Sequence, residues 1–471
     1  MKKLRYIISA VMTAAIVFGG CSIFAENEKS NIDNSAVSSA PSSVSDDTSE
    51  STSTPPESKS ESSLAESSLS SSDESSKASQ SSESSEKSNV QESSRPALPA
   101  EISTEPSKIE EPEPIDTSVL YDYESKYFVS KLPENLLREF IKMYKGAMGF
   151  KSSVNFSSSI SEDDLEMLMY LLNYDCPELI HVSGDYYPHY INDENYVSSV
   201  GLSFCMSEKD YKKSKAELDK FFSELKDKLA FNSDIEKEKY VYDYIFDNCI
   251  YDESDILSGS VYGTLIRHKG RCEGFSKSFM WCMREVGVEC MTVSGEQNWD
   301  NTALYPNHSW NIVKINGEYY NLDVTVDDIR MTEVVKTPAN YGFYNVSDNY
   351  IKDNRKAEPL YKELGLPECN TMIENYHQKR DLFIYYDDFY RINLFKILSD
   401  NFDDKTLKPV SIKFYNSVDY EEAARSINDY VSEFLNDNSE KTFIYNTYCS
   451  DLSNTIVIEA ELEKPEESEE E

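Results

Sequence analysis

Apolar residues between positions 118 and 230 recur at helical spacing in several stretches, with short alternating runs between them. A period near 3.6 residues predicts amphipathic helices, and a period of two predicts half-buried strands. Pro133 opens the first helix, and Ser161 begins a capping-box pattern before the second. We therefore predict a small α/β domain over 118–230, with short strands over 180–182 and 197–204.

The same two periods return near the end of the chain. The predicted strands cover 381–386, 410–415, 442–448 and 455–461, and the predicted helices cover 389–398 and 419–435, the second capped by Asp419. Their order is βαβαββ. We predict a second flanking α/β domain over 370–463.

Between these domains, residues 235–355 predict a helix followed by an antiparallel sheet. Glu273–Val286 has helical periodicity and is predicted to form the helix. Asn316 and Gly317 form the strongest short hairpin signal in the chain, and they follow an alternating strand. The return strand is predicted over 318–325.

The hairpin determines which side chains share a face. A two-residue loop makes Ile315 face Glu318, so that Trp310 faces Asp323. Alternation then places His308, Trp310 and Asp323 on one face. His308 is diagonal to Asp323, and diagonal neighbours lie about 7–8 Å apart at the backbone, within reach of an imidazole and a carboxylate.

Cys272 immediately precedes the predicted helix. The amides and dipole of a helix N-terminus favour a thiolate over a thiol, so we expect a lowered pKa. Taken singly, His308 is better explained as a structural histidine. Together with Cys272 and Asp323, it supplies a nucleophile, a general base and a group that orients the base.

Four motifs resemble the transglutaminase-like core found in many exported bacterial proteins. They are Ser260-Val261-Tyr262-Gly263-Thr264-Leu265, Arg271-Cys272-Glu273-Gly274-Phe275, His308-Ser309-Trp310-Asn311 and Leu322-Asp323-Val324-Thr325. The order Cys, His, Asp and the short gaps between them agree with that family. Papain-type proteases have a much wider Cys-to-His spacing.

The resemblance implies an α+β, papain-like fold, with the Cys at a helix N-terminus packed on an antiparallel sheet that carries His and Asp. It also implies a thioester intermediate, which water or an amine resolves. As oxyanion donors we expect the Cys272 backbone N–H and, from its family position, the Tyr262 side chain. Trp310 is predicted either to line the cleft or to pack. No cofactor or metal is implied.

The N-terminus predicts export. Basic residues precede an apolar run over 6–18 that fits a signal sequence and is too short to span a membrane comfortably. The run ends at Cys21 in a lipobox-like motif with Phe18 at an unusual position. We predict a signal peptide over 1–21 with lipidation of Cys21, and cleavage after Ala25 is the alternative.

Composition identifies a linker and a tail. Residues 22–117 are rich in Ser, Glu and Pro, and they are predicted to be disordered because they cannot bury enough apolar surface. The tail over 464–471 is acidic. The formal net charge of -39 argues against nucleic-acid binding. Membrane contact is expected through the lipid anchor alone.

The chain has nine cysteines. Apart from Cys21 and Cys272 their number is odd, so at least one has no partner within the chain. Their spacing fits no zinc pattern, and for most we predict small buried core positions.

Together these features predict an exported, thiol-dependent acyl-transfer enzyme of the transglutaminase-like kind: a protease, an amidase or an amine cross-linker. Its substrate is expected to be an extracellular protein or a cell-wall peptide. One alternative is a catalytically silent surface binding module or adhesin with the same fold. Another is a structural surface protein whose C-terminal domain binds a partner.

Overall fold

The computed structural model describes residues 114–191, 195–298, 304–327 and 337–463. The predicted signal peptide with Cys21, the Ala25 cleavage position, all but the end of the predicted linker, and the acidic tail lie outside the described residues. The structure contains both helices and antiparallel sheets, and the α+β class predicted from the sequence is confirmed. None of the helices within the described ranges is long and apolar enough to cross a membrane.

The secondary structure follows the chain in this order. The α-helices are α1 Glu134–Met148, α2 Glu162–Tyr174, α3 Glu208–Leu229, α4 Asp234–Asn248, α5 Val261–Leu265, α6 Cys272–Glu285, α7 Val324–Asp327, α8 Asp348–Ile351, α9 Pro359–Glu363, α10 Tyr390–Asn401 and α11 Ser417–Asn438. The strands are β1 Ser153–Ser161, β2 Val182–Tyr190, β3 Tyr196–Phe204, β4 Ile250–Tyr251, β5 Lys269–Gly270, β6 Cys290–Asn298, β7 Leu304–Ile315, β8 Glu318–Leu322, β9 Arg355–Ala357, β10 Phe383–Ile384, β11 Thr406–Phe414, β12 Phe443–Ser450 and β13 Thr455–Leu462. Short 3-10 helices lie at Thr117–Val119, Tyr123–Ser125, Val129–Lys131, Ile256–Gly259 and Gln378–Arg380.

The central sheet has the strand order β8-β7-β6-β9, and all neighbouring strands are antiparallel. Ile315 pairs with Glu318 across the hairpin, as the two-residue loop predicts. The return strand ends at Leu322, so the prediction that it continues to 325 is wrong. The reason is local: Asp323 accepts the backbone N–H groups of Thr325 and Val326 at 3.0 and 3.2 Å, which starts a helical turn instead.

Helix α6 covers one face of this sheet. Val313 and Tyr320 point into a core that also contains Phe275 and Phe279 of α6 and Tyr242 of α4. These side chains are almost fully buried. These buried side chains pack α6 against β7. The position of Cys272 at the start of α6 depends on that contact.

The N-terminal part packs on the opposite face. Its three-stranded antiparallel sheet has the order β1-β3-β2. Strand β1 was not predicted, because its sequence is mostly polar and most of its side chains are outside the core. Trp310 and Ile312 of β7 belong to the same apolar cluster as α1 and α2. The N-terminal part and the central sheet therefore share one core.

A buried ion pair reinforces this contact. Arg284 near the end of α6 donates from Nη2 to Asp175 Oδ1 at 2.6 Å, and both side chains are almost completely buried. The other carboxylate oxygen of Asp175 accepts the backbone N–H groups of Phe128 and Val129. One carboxylate thus joins α6 to the segment that precedes α1.

The C-terminal part forms a sheet of order β10-β11-β13-β12, in which β10 runs parallel to β11 and the other pairs are antiparallel. Helices α10 and α11 contribute to a core of its own. The predicted βαβαββ order is observed. The predicted cap is wrong: α11 begins two residues before Asp419, and the Asn416 side chain accepts the N–H of Asp419.

Candidate active site

Cys272 is the first residue of α6, and the chain enters the helix there from an extended Arg271. The backbone N–H of Arg271 donates to Ser258 O at 2.9 Å, which holds the helix start against the 3-10 helix Ile256–Gly259. Gly274 is required by this contact, because a Cβ at that position would lie 2.1 Å from Ser258 O. The glycine of the Cys motif therefore allows the first turn of α6 to approach neighbouring backbone.

Asn311 attaches α6 to the sheet. Its Nδ2 donates to Ser276 O of the helix at 2.9 Å and to Met291 O of β6 at 3.2 Å. Two residues earlier on β7, the backbone of Ser309 lies close enough to Cys272 to lower the pKa of its thiol. The thiol is thus placed directly beside the backbone of the strand that carries His308.

His308 and Asp323 are joined by a buried hydrogen bond. The distance from His308 Nε2 to Asp323 Oδ2 is 2.6 Å, and the two side chains are 0% and 2% exposed. A carboxylate only accepts hydrogen bonds, so Nε2 carries the hydrogen and the lone pair lies on Nδ1. Nδ1 is therefore the atom available as a general base in this tautomer.

Asp323 has further donors that the sequence did not reveal. Arg355 of the edge strand β9 donates from Nη2 to Asp323 Oδ2 at 2.6 Å, and its side chain is 1% exposed. Oδ1 accepts the two backbone N–H groups at the start of α7. Arg355 lies far along the chain from Asp323 and carries no motif, so no sequence signal pointed to it.

The arrangement agrees with a known family. The family model described as Transglutaminase-like superfamily matches residues 224–324. Residues 224–324 form a transglutaminase-like domain. The match contains Cys272, His308 and Asp323, and it ends before Arg355. No curated protein matches the chain.

Two solved structures are similar to parts of the chain. One is described as a TGase, with 15% identity, a TM-score of 0.22, and coverage of 42% of this chain and 55% of that one. The other, from Cytophaga hutchinsonii, is described as a "putative cysteine protease", with 14% identity, a TM-score of 0.20, and coverage of 30% and 61%. This chain therefore covers only about half to three-fifths of either protein.

The surroundings of Asp323 keep its carboxyl group in the charged form. Burial alone would raise the pKa of Asp323, but the charges of His308 and Arg355 and their hydrogen bonds lower it to about 2. Burial lowers the pKa of His308, the Asp323 carboxylate opposes that effect, and Arg355 adds to it. At neutral pH the site therefore holds an ionised Asp323 and a neutral imidazole.

The pKa of the Cys272 thiol differs from the sequence-based prediction. Burial raises the pKa of Cys272 to about 12, and the neighbouring Glu273 carboxylate raises it further, while Arg271 and the Ser309 amide oppose the effect. The predicted lowering of this pKa is wrong. Desolvation disfavours the thiolate more strongly than the start of α6 favours it. The unliganded site therefore contains a neutral thiol and a neutral imidazole.

The two additional cleft candidates have different surroundings. The Tyr262 hydroxyl donates to Glu217 Oε2 of α3 at 2.8 Å, and its role as an oxyanion donor stays a prediction. Trp310 is 3% exposed, packs within the core, and donates from Nε1 to Asn321 Oδ1 at 3.1 Å. Its ring stacks on His308 with a centroid distance of 6.2 Å. Of the two predicted roles, the structure shows packing, and Trp310 supports the imidazole from one side.

The thiol also affects two tyrosines that the sequence did not single out. Burial and then the Cys272 charge raise the pKa of Tyr251. Burial is also the largest cause of the raised pKa of Tyr174, to which Cys272 contributes. Tyr251 is placed by the short pairing of β4 with β5, which joins it to Gly270, two residues before Cys272. Both rings therefore lie near the thiol.

The predicted burial of most cysteines is confirmed: Cys176, Cys249, Cys282, Cys290 and Cys369 are all buried. Within the described ranges, no group of three or more His, Cys, Asp or Glu side chains is arranged to hold a metal ion.

Proposed function

We propose that this chain is a thiol-dependent acyl-transfer enzyme acting through Cys272, His308 and Asp323. The observation that carries the proposal is the 2.6 Å contact between His308 Nε2 and Asp323 Oδ2, made beside a cysteine at the start of a helix. The Ser309 backbone, next to His308 on β7, lies close enough to that cysteine to lower the pKa of its thiol. A buried acid that orients a base next to a thiol is the arrangement that nucleophilic acyl transfer needs.

The proposed reaction has two halves. As the Cys272 sulfur bonds to the acyl carbon, its proton passes to His308 Nδ1, and the imidazolium then protonates the departing amine as the C–N bond breaks. This leaves a thioester. Water or a second amine then gives a proton to Nδ1 as it attacks the acyl carbon, and the imidazolium returns that proton to the sulfur as the C–S bond breaks, which restores the thiol. The backbone N–H of Cys272 is the proposed donor to the oxyanion.

Because the resting thiol is neutral, His308 acts as a base during attack and no preformed ion pair is needed. The raised pKa of Cys272 and the lowered pKa of His308 both favour this order of events. Substrate that replaces water around the sulfur would leave the imidazole as its nearest proton acceptor. The proposed enzyme therefore needs Asp323 to stabilise the imidazolium only while the proton is in transit.

We also propose that the enzyme works outside the cell, attached to the membrane through a lipid on Cys21 or released after cleavage at Ala25. The support is the basic and apolar N-terminal pattern. Extracellular proteins or wall peptides are the proposed substrates. In a Cys21→Ala variant, the protein should appear in the medium or stay unprocessed, as shown by fractionation and intact mass. Normal maturation and anchoring of that variant would contradict lipidation.

The catalytic proposal is tested with Cys272→Ala on a panel of protein and peptide substrates, reading ammonia release and new amino termini together. We expect a loss of roughly 10⁶-fold in kcat. Cys449→Ala is the matched control, because Cys449 is a more exposed thiol on β12 of the C-terminal part. Full turnover by Cys272→Ala would show that this cysteine is not the nucleophile.

One observation favours the alternative of a catalytically silent binding module: the thiol is buried and its pKa is raised. A thiol-directed electrophile separates the two functions when the modified site is identified by mass spectrometry. Modification of Cys272 that blocks turnover supports the enzyme. A folded wild-type protein without turnover on the panel, and with Cys272 unmodified, supports the binding module.

A further inference from the structure

Oδ2 of Asp323 accepts two strong hydrogen bonds, one from His308 Nε2 and one from Arg355 Nη2, each at 2.6 Å. We propose that Arg355 is a positioning residue for the catalytic pair: it fixes the carboxylate and limits the negative charge that the carboxylate presents to the imidazole. The inference rests on the proposed function. It concerns a residue outside the stretch that matches the family model.

Arg355 is held rigidly in place. It opens strand β9, which pairs with β6 so that Arg355 faces Gln297 and Ala357 faces Gly295. A Cβ on Gly295 would lie 2.2 Å from Lys356 O, so a glycine is required for β9 to approach so closely. The guanidinium also lies 3.9 Å from the ring centroid of Phe343. Backbone pairing and ring stacking thus aim one nitrogen at Asp323.

The Asp323 carboxylate is consequently fixed at both oxygens. Oδ1 is held by the two backbone N–H groups at the start of α7, and Oδ2 by the imidazole and the guanidinium. Rotation of the carboxylate would break contacts at both oxygens. Without Arg355, Oδ2 would be oriented by His308 alone, the group that Asp323 has to orient.

Arg355 also has an electrostatic effect on His308. Among the residues that the structure describes, the charged groups around the imidazole are Asp323 at the end of β8 and Arg355 on β9. At the start of α6 lie Cys272 and Glu273, and the Glu273 charge is paired with Arg271 and Lys277. A guanidinium on the carboxylate weakens the attraction between that carboxylate and an imidazolium. It therefore keeps His308 neutral and able to act as a base at lower pH.

The test is the pH profile of kcat/KM for Arg355→Met and Arg355→Lys. In the Met variant the imidazolium is easier to form, so the acid limb should move to higher pH by on the order of one unit, with kcat reduced more than tenfold. The Lys variant retains the positive charge, so its limb should stay near that of the wild type. Lys356→Met is the matched control, because it removes a neighbouring, largely exposed cation of the same strand.

An activity-free readout separates this inference from the proposed function. The His308 imidazole can be titrated by NMR in wild type and variants, and the Arg355→Met titration should shift upward even if no substrate has been found. Lost activity with an unchanged acid limb and an unchanged titration would show that Arg355 is only structural. If the Met variant does not fold, Arg355→Gln, which removes the charge and keeps hydrogen-bond donors, is titrated in its place: an upward shift of the His308 titration supports the inference, and an unshifted one overturns it.

Discussion

Replacing Asp323 with Asn changes the charge and the donor pattern of the site while keeping its shape. Within the described part of the chain, Asp323 accepts from N–H groups at both oxygens: Thr325 and Val326 at Oδ1, and His308 and Arg355 at Oδ2. The side-chain NH2 group of the introduced Asn would find no hydrogen-bond acceptor among these described neighbours, because all four groups are themselves N–H donors. In either orientation of Asn, two N–H groups would face another donor.

The favoured orientation keeps the amide oxygen on the two backbone groups, and the amide nitrogen then faces His308. The imidazole must turn its lone pair toward that nitrogen, which moves the hydrogen from Nε2 to Nδ1. Nδ1, the proposed base, then carries a hydrogen and cannot accept the proton of the Cys272 thiol. A comparable substitution that produces the wrong tautomer lowers kcat by about 10⁴, equivalent to about 5 kcal/mol of transition-state free energy.

The same substitution should also destabilise the fold. It leaves the buried Arg355 without its carboxylate, and breaking a buried ion pair on one side costs about 3–5 kcal/mol. The two effects are separated by measuring kcat well below the unfolding temperature and the free energy of unfolding in urea. Asp348→Asn is the matched control, since this exposed aspartate accepts from Asn321 and lies outside the catalytic pair.

An Asp323→Asn protein that is folded and retains kcat within tenfold of the wild type would show that the carboxylate does not orient the base. A loss of activity that follows the loss of folded protein alone would have the same meaning. The prediction holds only if the folded variant is slow.

The remaining predictions concern stability and the placement of the nucleophile. Asp175→Asn should lower the free energy of unfolding by about 3 kcal/mol, because it leaves the buried guanidinium of Arg284 without its carboxylate partner. Unfolding in urea measures this value, and a change under about 1 kcal/mol would contradict the prediction. Burial raises the pKa of Glu238 to about 8, so the folded protein keeps a proton that the unfolded chain releases above its ordinary pKa near 4.5. Relative to Glu238→Gln, wild type should therefore lose on the order of 4 kcal/mol of stability as the pH rises from 4.5 to 8, and parallel stability curves would refute the assignment. Gly274→Ala should push the start of α6 away from Ser258, because the added Cβ would collide with the Ser258 carbonyl oxygen. We expect kcat to fall more than tenfold and Tm to change less. Unchanged kinetics would show that the close approach is dispensable.

Much of the arrangement of Cys272, His308 and Asp323 could be predicted from the chain because it depends on local rules. The Asn316-Gly317 turn and the alternation of the strands establish the register, and the register places His308 near Asp323. The start of α6 at Cys272 follows from its helical periodicity. Each of these inferences needs only neighbours within a few residues or directly across one hairpin.

Tertiary structure decided what those rules leave open. Arg355 reaches Asp323 only because β9 pairs with β6 at the sheet edge, and no local pattern encodes that pairing. The pKa of Cys272 is raised because the thiol is buried, so an expectation based on the helix terminus alone had the wrong sign. Register and helix period are set by short-range geometry, and a sequence displays them. Desolvation and long-range contacts depend on which surfaces pack together, and only the folded chain determines those.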